Sequence, residues 1–218
     1  MQKNKTAYFI TGTDTDVGKT YIASALVRYF VQQGQAAVGM KPIAAGCEKI
    51  NGELRNADVN ALLAASNIAA RLEDVNPYAF EPTIAPHIAA EQVGATVSLN
   101  KIKHAFDALQ WQADVVIVEG AGGFRVPINR EQTMADLAIQ LNLPVIMVVG
   151  IRLGCINHAL MTAGSIRAAG LNLVGWVANR IDPNMPALEE NVETLKAMIK
   201  APCIADVAWN AEPKFSAI

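Results

Sequence analysis

Continuous apolar runs recur along this chain: Ala7-Tyr8-Phe9-Ile10, Ala36-Ala37-Val38-Gly39-Met40, Asp114 to Val118, Pro144 to Val149 and Asn172 to Ala178. Runs without alternation read as strands covered on both faces, as in a parallel sheet. Between them apolar positions fall at helical spacing. Ile22, Leu26, Tyr29 and Phe30 give one helix face, which Gly34 ends as a C-cap. Ile102, Phe106 and Leu109 mark a helix from about Asn100 to Trp111, another is expected from Pro186 to Lys200, and Cys203 to Val207 is a last short strand. Strands alternating with helices predict an α/β fold with a doubly wound, mostly parallel sheet. A single domain is expected over residues 1–218.

The first strand runs into Gly12-Thr13-Asp14-Thr15-Asp16-Val17-Gly18-Lys19-Thr20, and a helix leaves it. That context makes the stretch a P-loop and the fold of the P-loop NTPase type. Inward-turned backbone N–H groups would form an anion nest, reinforced by the helix dipole. Lys19 is expected on the outer phosphates and the Thr20 hydroxyl on magnesium. The spacing is unusual. Five residues separate Gly12 from Gly18, and Thr13 stands where the first glycine is normally found.

Other candidates sit at strand ends, where open α/β sheets bind ligands. Lys41, before Pro42 and the small residues Ala44, Ala45 and Gly46, is either a pocket residue or a solvated strand end. Glu119 closes a buried strand ahead of Gly120-Ala121-Gly122-Gly123, the position from which P-loop enzymes hold magnesium. Asp58 lies in the first turn of a helix that Asn56 caps, and capping with the helix dipole explains it on sequence alone. His87 after Pro86 is read as a bonded residue at a helix start, and His158 and Met161 as helix-packing residues. A helix opening after Gly150-Ile151-Arg152-Leu153-Gly154 presents a free N-terminus that could hold a carboxylate.

Composition narrows the class. With 52% hydrophobic and 17% charged residues, the chain is globular. A net charge of −2 argues against nucleic-acid binding, and no apolar run is long enough for a membrane span. Cys47, Cys155 and Cys203 show no metal or redox spacing, and an odd count without a signal sequence fits a cytoplasmic setting.

These segments together resemble the dethiobiotin synthetase family over almost the whole chain. The resemblance rests on Gly12 to Thr20, Lys41-Pro42, Leu54 to Asp58, Asn76-Pro77-Tyr78, Val118 to Gly123, Leu153 to His158 and Gly175 to Asn179. It implies an ATP-dependent cyclo-ligase that joins 7,8-diaminopelargonic acid and CO2 through a carbamate and a carbamic-phosphoric anhydride. It further implies that Thr20, Asp58 and Glu119 surround Mg2+, replacing the capping account of Asp58. Lys19 and Lys41 serve the transferring phosphoryl group and the carbamate, with Thr15 and Asp16 beside them. Gly12, Thr13, Asp14, Val17 and Gly18 cradle the nucleotide, and Asn179 reads adenine. Ala45, Gly120, Ala121 and Gly122 line the diamine. Gly154, Cys155 and Asn157 reach a neighbouring subunit's substrate in a homodimer.

Two departures stand out: family members often carry serine where this chain has Ala45, and proline where it has Ala208. Asn179-Arg180-Ile181-Asp182 resembles a guanine-reading pattern, set against a reading of Arg180 and Asp182 as solvated loop charges. Partitioning ATPases of the same fold carry a signature lysine at the position of Asp14, and corrinoid amidotransferases need a further domain.

Overall fold

The structure is a computed structural model that describes residues 5–216. In chain order the elements are β1 (Thr6–Gly12), α1 (Lys19–Gln32), β2 (Ala37–Met40), β3 (Ile43–Ala44), β4 (Glu48–Ile50), β5 (Glu53–Arg55), α2 (Ala57–Ala65), α3 (Leu72–Val75) and β6 (Tyr78–Ala79). They continue with α4 (Pro86–Gln92), α5 (Leu99–Gln112), β7 (Val115–Gly123), α6 (Met134–Leu141), β8 (Val145–Gly150), α7 (Cys155–Ala168), β9 (Leu173–Asn179), α8 (Leu188–Met198) and β10 (Cys203–Val207).

Six strands form one parallel sheet in the order β10-β9-β8-β1-β7-β2. The apolar runs are buried because helices cover both faces. Phe9, Val38, Met40, Val116, Val118 and Met147 point into one core, which α5 completes with Ile102, Phe106 and Leu109. Their neighbours Ile10, Ala37, Val115, Ile117, Ile146 and Val148 point into the other, closed by Ile22, Leu26 and Phe30 of α1. Each such large side chain contributes ~1.5–3 kcal/mol on burial. The doubly wound architecture is as the pattern predicts.

The differences are local. The β7 strand does not stop at Glu119 but continues through Gly123, with a register shift against β1 between Ile10 and Gly12. Helix α6 lies in a stretch where no element is expected from periodicity; Thr133 and Asp136 form its capping box. A hairpin, β4–β5, turns at Asn51 and Gly52, whose φ values of 52° and 87° suit a type I′ turn. Residues 72–92, which include Pro77, Pro82 and Pro86, hold α3, α4 and β6, which pairs with β3 over two residues. No helix among the described residues is long and apolar enough to cross a membrane.

Candidate active site

Strand order reverses around β1, which has β7 on one side and β8 on the other. A crevice opens at the strand C-termini there, and the Gly12 to Thr20 loop occupies it. The Thr13 N–H donates to the Val148 carbonyl at 3.0 Å. Gly18 adopts φ 87° and α1 begins at Lys19 with no side-chain cap and no acid in its first turn. Its leading N–H groups are therefore left for a ligand. The Asn179 Nδ2 donates to the Val17 carbonyl at 2.9 Å, bracing the loop from behind. Asp14 accepts from the Thr15 N–H at 2.8 Å and from the Arg152 guanidinium at 2.5 Å.

A cavity of about 750 Å³ opens beside the loop. Lys41 stands in its wall, 5% exposed. Its N–H donates to the Val75 carbonyl at 2.9 Å, and its carbonyl accepts from Asn76 Nδ2 at 2.6 Å. From this gripped backbone the Lys41 ammonium donates to Asp58 Oδ2 at 2.8 Å and Glu119 Oε1 at 2.5 Å. The Thr20 hydroxyl donates to the same Glu119 oxygen at 2.7 Å. Asp58 is delivered by its helix: Asn56 Oδ1 accepts from the Asp58 and Val59 N–H groups at 3.0 and 3.3 Å. The other end of that amide, Nδ2, donates to the Ala45 carbonyl at 3.2 Å. Capping and site geometry are thus one arrangement at Asp58.

Burial works against the charge on Lys41, yet Glu119 and Asp58 outweigh it and hold the ammonium above its usual range. Burial likewise raises Asp58, but Lys41 and Thr20 bring it below the ordinary carboxylate range. Lys19, donating to the Asp14 carbonyl at 2.9 Å, is pushed down to about 8 by burial and then by repulsion from Lys41.

The cavity brings together Thr15, Asp16, Gly18, Lys19 and Thr20 from the loop, Asp58 from α2, and Lys41, Ala45, Glu119, Ala121 and Gly122 from strand ends. Other sequence candidates stand elsewhere. Gly12, Thr13 and Asp14 frame the loop, and Val17 is buried in the core. Gly120 is buried with its α-carbon toward Phe9, because the pleat turns it away from the cavity. Gly154, Cys155 and Asn157 start α7, outside the cavity lining. There the Cys155 side chain packs into the core, and its N–H is already bonded to the Arg152 carbonyl at 2.9 Å. Ile43, Thr83, Ile84, Pro86 and Val126 line the cavity without having been marked by the sequence. The short β3–β6 pairing that brings most of them in leaves no periodic trace.

Among the described residues no three His, Cys, Asp or Glu side chains group to hold a metal. The oxygen set of Thr20, Asp58 and Glu119 nevertheless fits a hard cation, which these residues would hold. Glu119 Oε2, buried without a hydrogen-bond partner, is the lone pair such an ion would take up.

The turn after β9 corrects one expectation. Arg180 is not a solvated charge. It bonds Asp206 at 2.7 and 2.9 Å and Glu189 at 2.5 and 2.9 Å, which raises its pKa further. Asp182 accepts from the Asn184 N–H at 3.0 Å, closing its own turn. His87 is not the bonded helix-start residue expected either: its Nδ1 is buried without a hydrogen-bond partner, in the wall of a separate cavity of about 550 Å³.

A family model described as an AAA domain matches residues 6–214. A protein of Aromatoleum aromaticum named ATP-dependent dethiobiotin synthetase is 52% identical over 201 residues, 92% of this chain and 89% of that protein. Proteins of the same name from Nitrosospira multiformis and Xanthomonas oryzae are 53% and 46% identical, over 93% and 97% of this chain and 88% and 94% of theirs. Among solved structures, MinD of Aquifex aeolicus aligns with a TM-score of 0.57 at 16% identity, over 93% of this chain and 81% of its own. The FtsY protein of Thermotoga maritima gives 0.57 at 16% identity, over 100% and 67%. At that identity these two show the P-loop NTPase fold alone.

Proposed function

The chain belongs to the dethiobiotin synthetase family and is an ATP-dependent cyclo-ligase, and from that premise we propose the residue roles by which it works. Its substrates in this reading are 7,8-diaminopelargonic acid (7,8-diaminononanoate), CO2 and ATP. One amine adds to CO2, losing a proton, to give a carbamate. A carbamate oxygen attacks the γ-phosphorus, and ADP leaves. The second amine attacks the carbonyl carbon of the mixed anhydride, closing the urea ring of dethiobiotin and releasing phosphate.

Phosphoryl transfer asks a protein mainly for position and charge. Lys19, with Thr15, Asp16 and the loop N–H groups, meets the phosphates. Thr20, Asp58 and Glu119 hold Mg2+, whose charge when bound offsets that on the transferred group. Lys41 holds the carbamate against the γ-phosphate, Ala45, Ala121 and Gly122 line the diamine, and Asn179 meets adenine. The observation that carries this reading is the buried Lys41 ammonium between Asp58 and Glu119, in one cavity with the P-loop.

The working unit in this reading is a cytoplasmic homodimer formed by one domain per chain. Support comes from α7, which starts uncapped, with Leu153 90% exposed just before it and Met161 65% exposed at its middle. There Gly154 and Asn157 would serve the partner's diamine carboxylate. Protein mixed with the diamine, bicarbonate, Mg2+ and ATP should yield the cyclic urea, read by mass together with ADP. ADP formation without the urea would overturn the reading.

A further inference from the structure

Part of the cavity wall is built from Ile43 and Ala45 on one segment and Thr83, Ile84, Ala85 and Pro86 on another. The two segments are stitched by backbone bonds, Gly46 N–H to the Pro82 carbonyl at 3.0 Å and Cys47 N–H to the Phe80 carbonyl at 2.9 Å. Around the rest of the cavity, the Thr15 and Asp16 side chains at the loop make no hydrogen bond among the described residues, while the other polar side chains are tied together. Thr20, Lys41, Asp58 and Glu119 form a single network, and Lys19 is bonded to the loop. On this wall Thr83 is the only polar side chain. Among the described residues its hydroxyl makes no hydrogen bond.

Thr83 is exposed at the cavity rim, and its hydroxyl packs beside Gly46. Thr83 Oγ1 lies 2.9 Å from where a Cβ on Gly46 would stand, so it occupies room that any other residue at 46 would fill. It therefore rests against the chain immediately after Ala45, on the strand-end segment that begins with Lys41. Ala45 itself offers only a methyl group there. A hydroxyl can donate to one oxygen and accept from one N–H at once. A carbamylated amine presents both.

We propose that the Thr83 hydroxyl is a substrate-binding group of this chain, hydrogen-bonded to the amine end of the diamine as it becomes a carbamate. Lys41 neutralises that group from one side and Thr83 orients it from the other. This rests on the reading of the reaction given above. It assigns to the 82–86 segment a part in selecting an amine-bearing substrate, beyond forming an apolar wall.

The test begins with wild-type protein making the cyclic urea; failure at that point overturns the reaction and not the residue. With the urea formed, Thr83→Val and Thr83→Ala remove the hydroxyl, one keeping the shape and the other not, and Thr83→Ser keeps it. Both removals should raise KM for the diamine about tenfold while KM for ATP stays within about twofold, and Thr83→Ser should stay near wild type. Diamine KM within about twofold of wild type in both Val and Ala variants overturns the proposal. So does an equal rise in both KM values, which would mark Thr83 as wall structure.

Discussion

Helices α1 and α7 begin alike and face opposite ways. Each follows a buried strand, each has a left-handed glycine at its N-cap (Gly18 at φ 87°, Gly154 at φ 93°), and neither carries a side-chain cap or a first-turn acid. Asn56 and Ser98, by contrast, cap α2 and α5. The α1 start is enclosed: Lys19 is buried, and with Gly18 and Thr20 it lines the cavity. The α7 start lies open, with Leu153, Gly154, Asn157 and His158 exposed. Both ends lack a side-chain cap and carry the positive end of a helix dipole, although at α7 the first N–H, of Cys155, is bonded to the Arg152 carbonyl. The contrast is that one end is furnished by its own chain, while the other is the end assigned above, by proposal, to a partner subunit's site.

The largest effect should come from the enclosed end. Lys19→Ala should lower turnover by roughly a thousandfold, about 4 kcal/mol in barrier, since no neighbouring ammonium is free to replace it. Steady-state rates measure this, and a loss under about tenfold would remove Lys19 from the phosphates. Next comes a pair of glycine substitutions. A Cβ at Gly18 would overlap the Asn179 amide, whereas nothing lies within 4 Å of one at Gly154. Gly18→Ala should therefore cost about 3 kcal/mol of stability, and Gly154→Ala only the ~1 kcal/mol of left-handed strain. Equal costs in urea unfolding would erase the distinction between the two ends.

Asn157→Ala should lower activity about tenfold without unfolding the protein, because its side chain is exposed. Mixed with Lys19→Ala, it should regain activity, as heterodimers recover one intact site. Heterodimers that form and recover nothing would confine each site to a single chain.

The smallest effect concerns pH. Lys19 has its pKa lowered from 10.5 to about 8, so the folded chain gives up this proton before the unfolded chain does. ATP affinity should weaken several-fold as pH rises through that value, because the ammonium is the form that meets phosphate. Stability runs the other way, increasing between about 8 and 10.5 where only the unfolded chain retains the proton. Calorimetric titration of ATP across this window checks the first statement, and a flat profile would contradict it.

The sheet was legible because both its faces are covered, which makes strands read as unbroken apolar runs. The α1 start was legible because loop, lysine and hydroxyl are contiguous. The rest of the site is assembled from far apart: Lys41 and Glu119 meet across 78 residues. Asp58 read locally as a helix cap and was marked for the site only through the family resemblance, since the helix position that suits the dipole is also the one that turns it toward Lys41. The wall at Thr83 depends on a two-residue strand pairing that no pattern of polarity reveals. Helix α6 left a signal, Thr133 three residues before Asp136, that periodicity alone passes over.

Asn56 joins two of these distant parts through one planar amide, its oxygen on the α2 N-terminus and its nitrogen on the Ala45 carbonyl. Aspartate would retain the acceptor and lose the donor; serine would retain the acceptor on a stem too short to span both. Each of these exchanges would keep the helix cap and lose the tie to Ala45. One amide therefore couples the position of Asp58 to that of the Ala45 segment, so that a shift of either wall of the cavity is carried to the other.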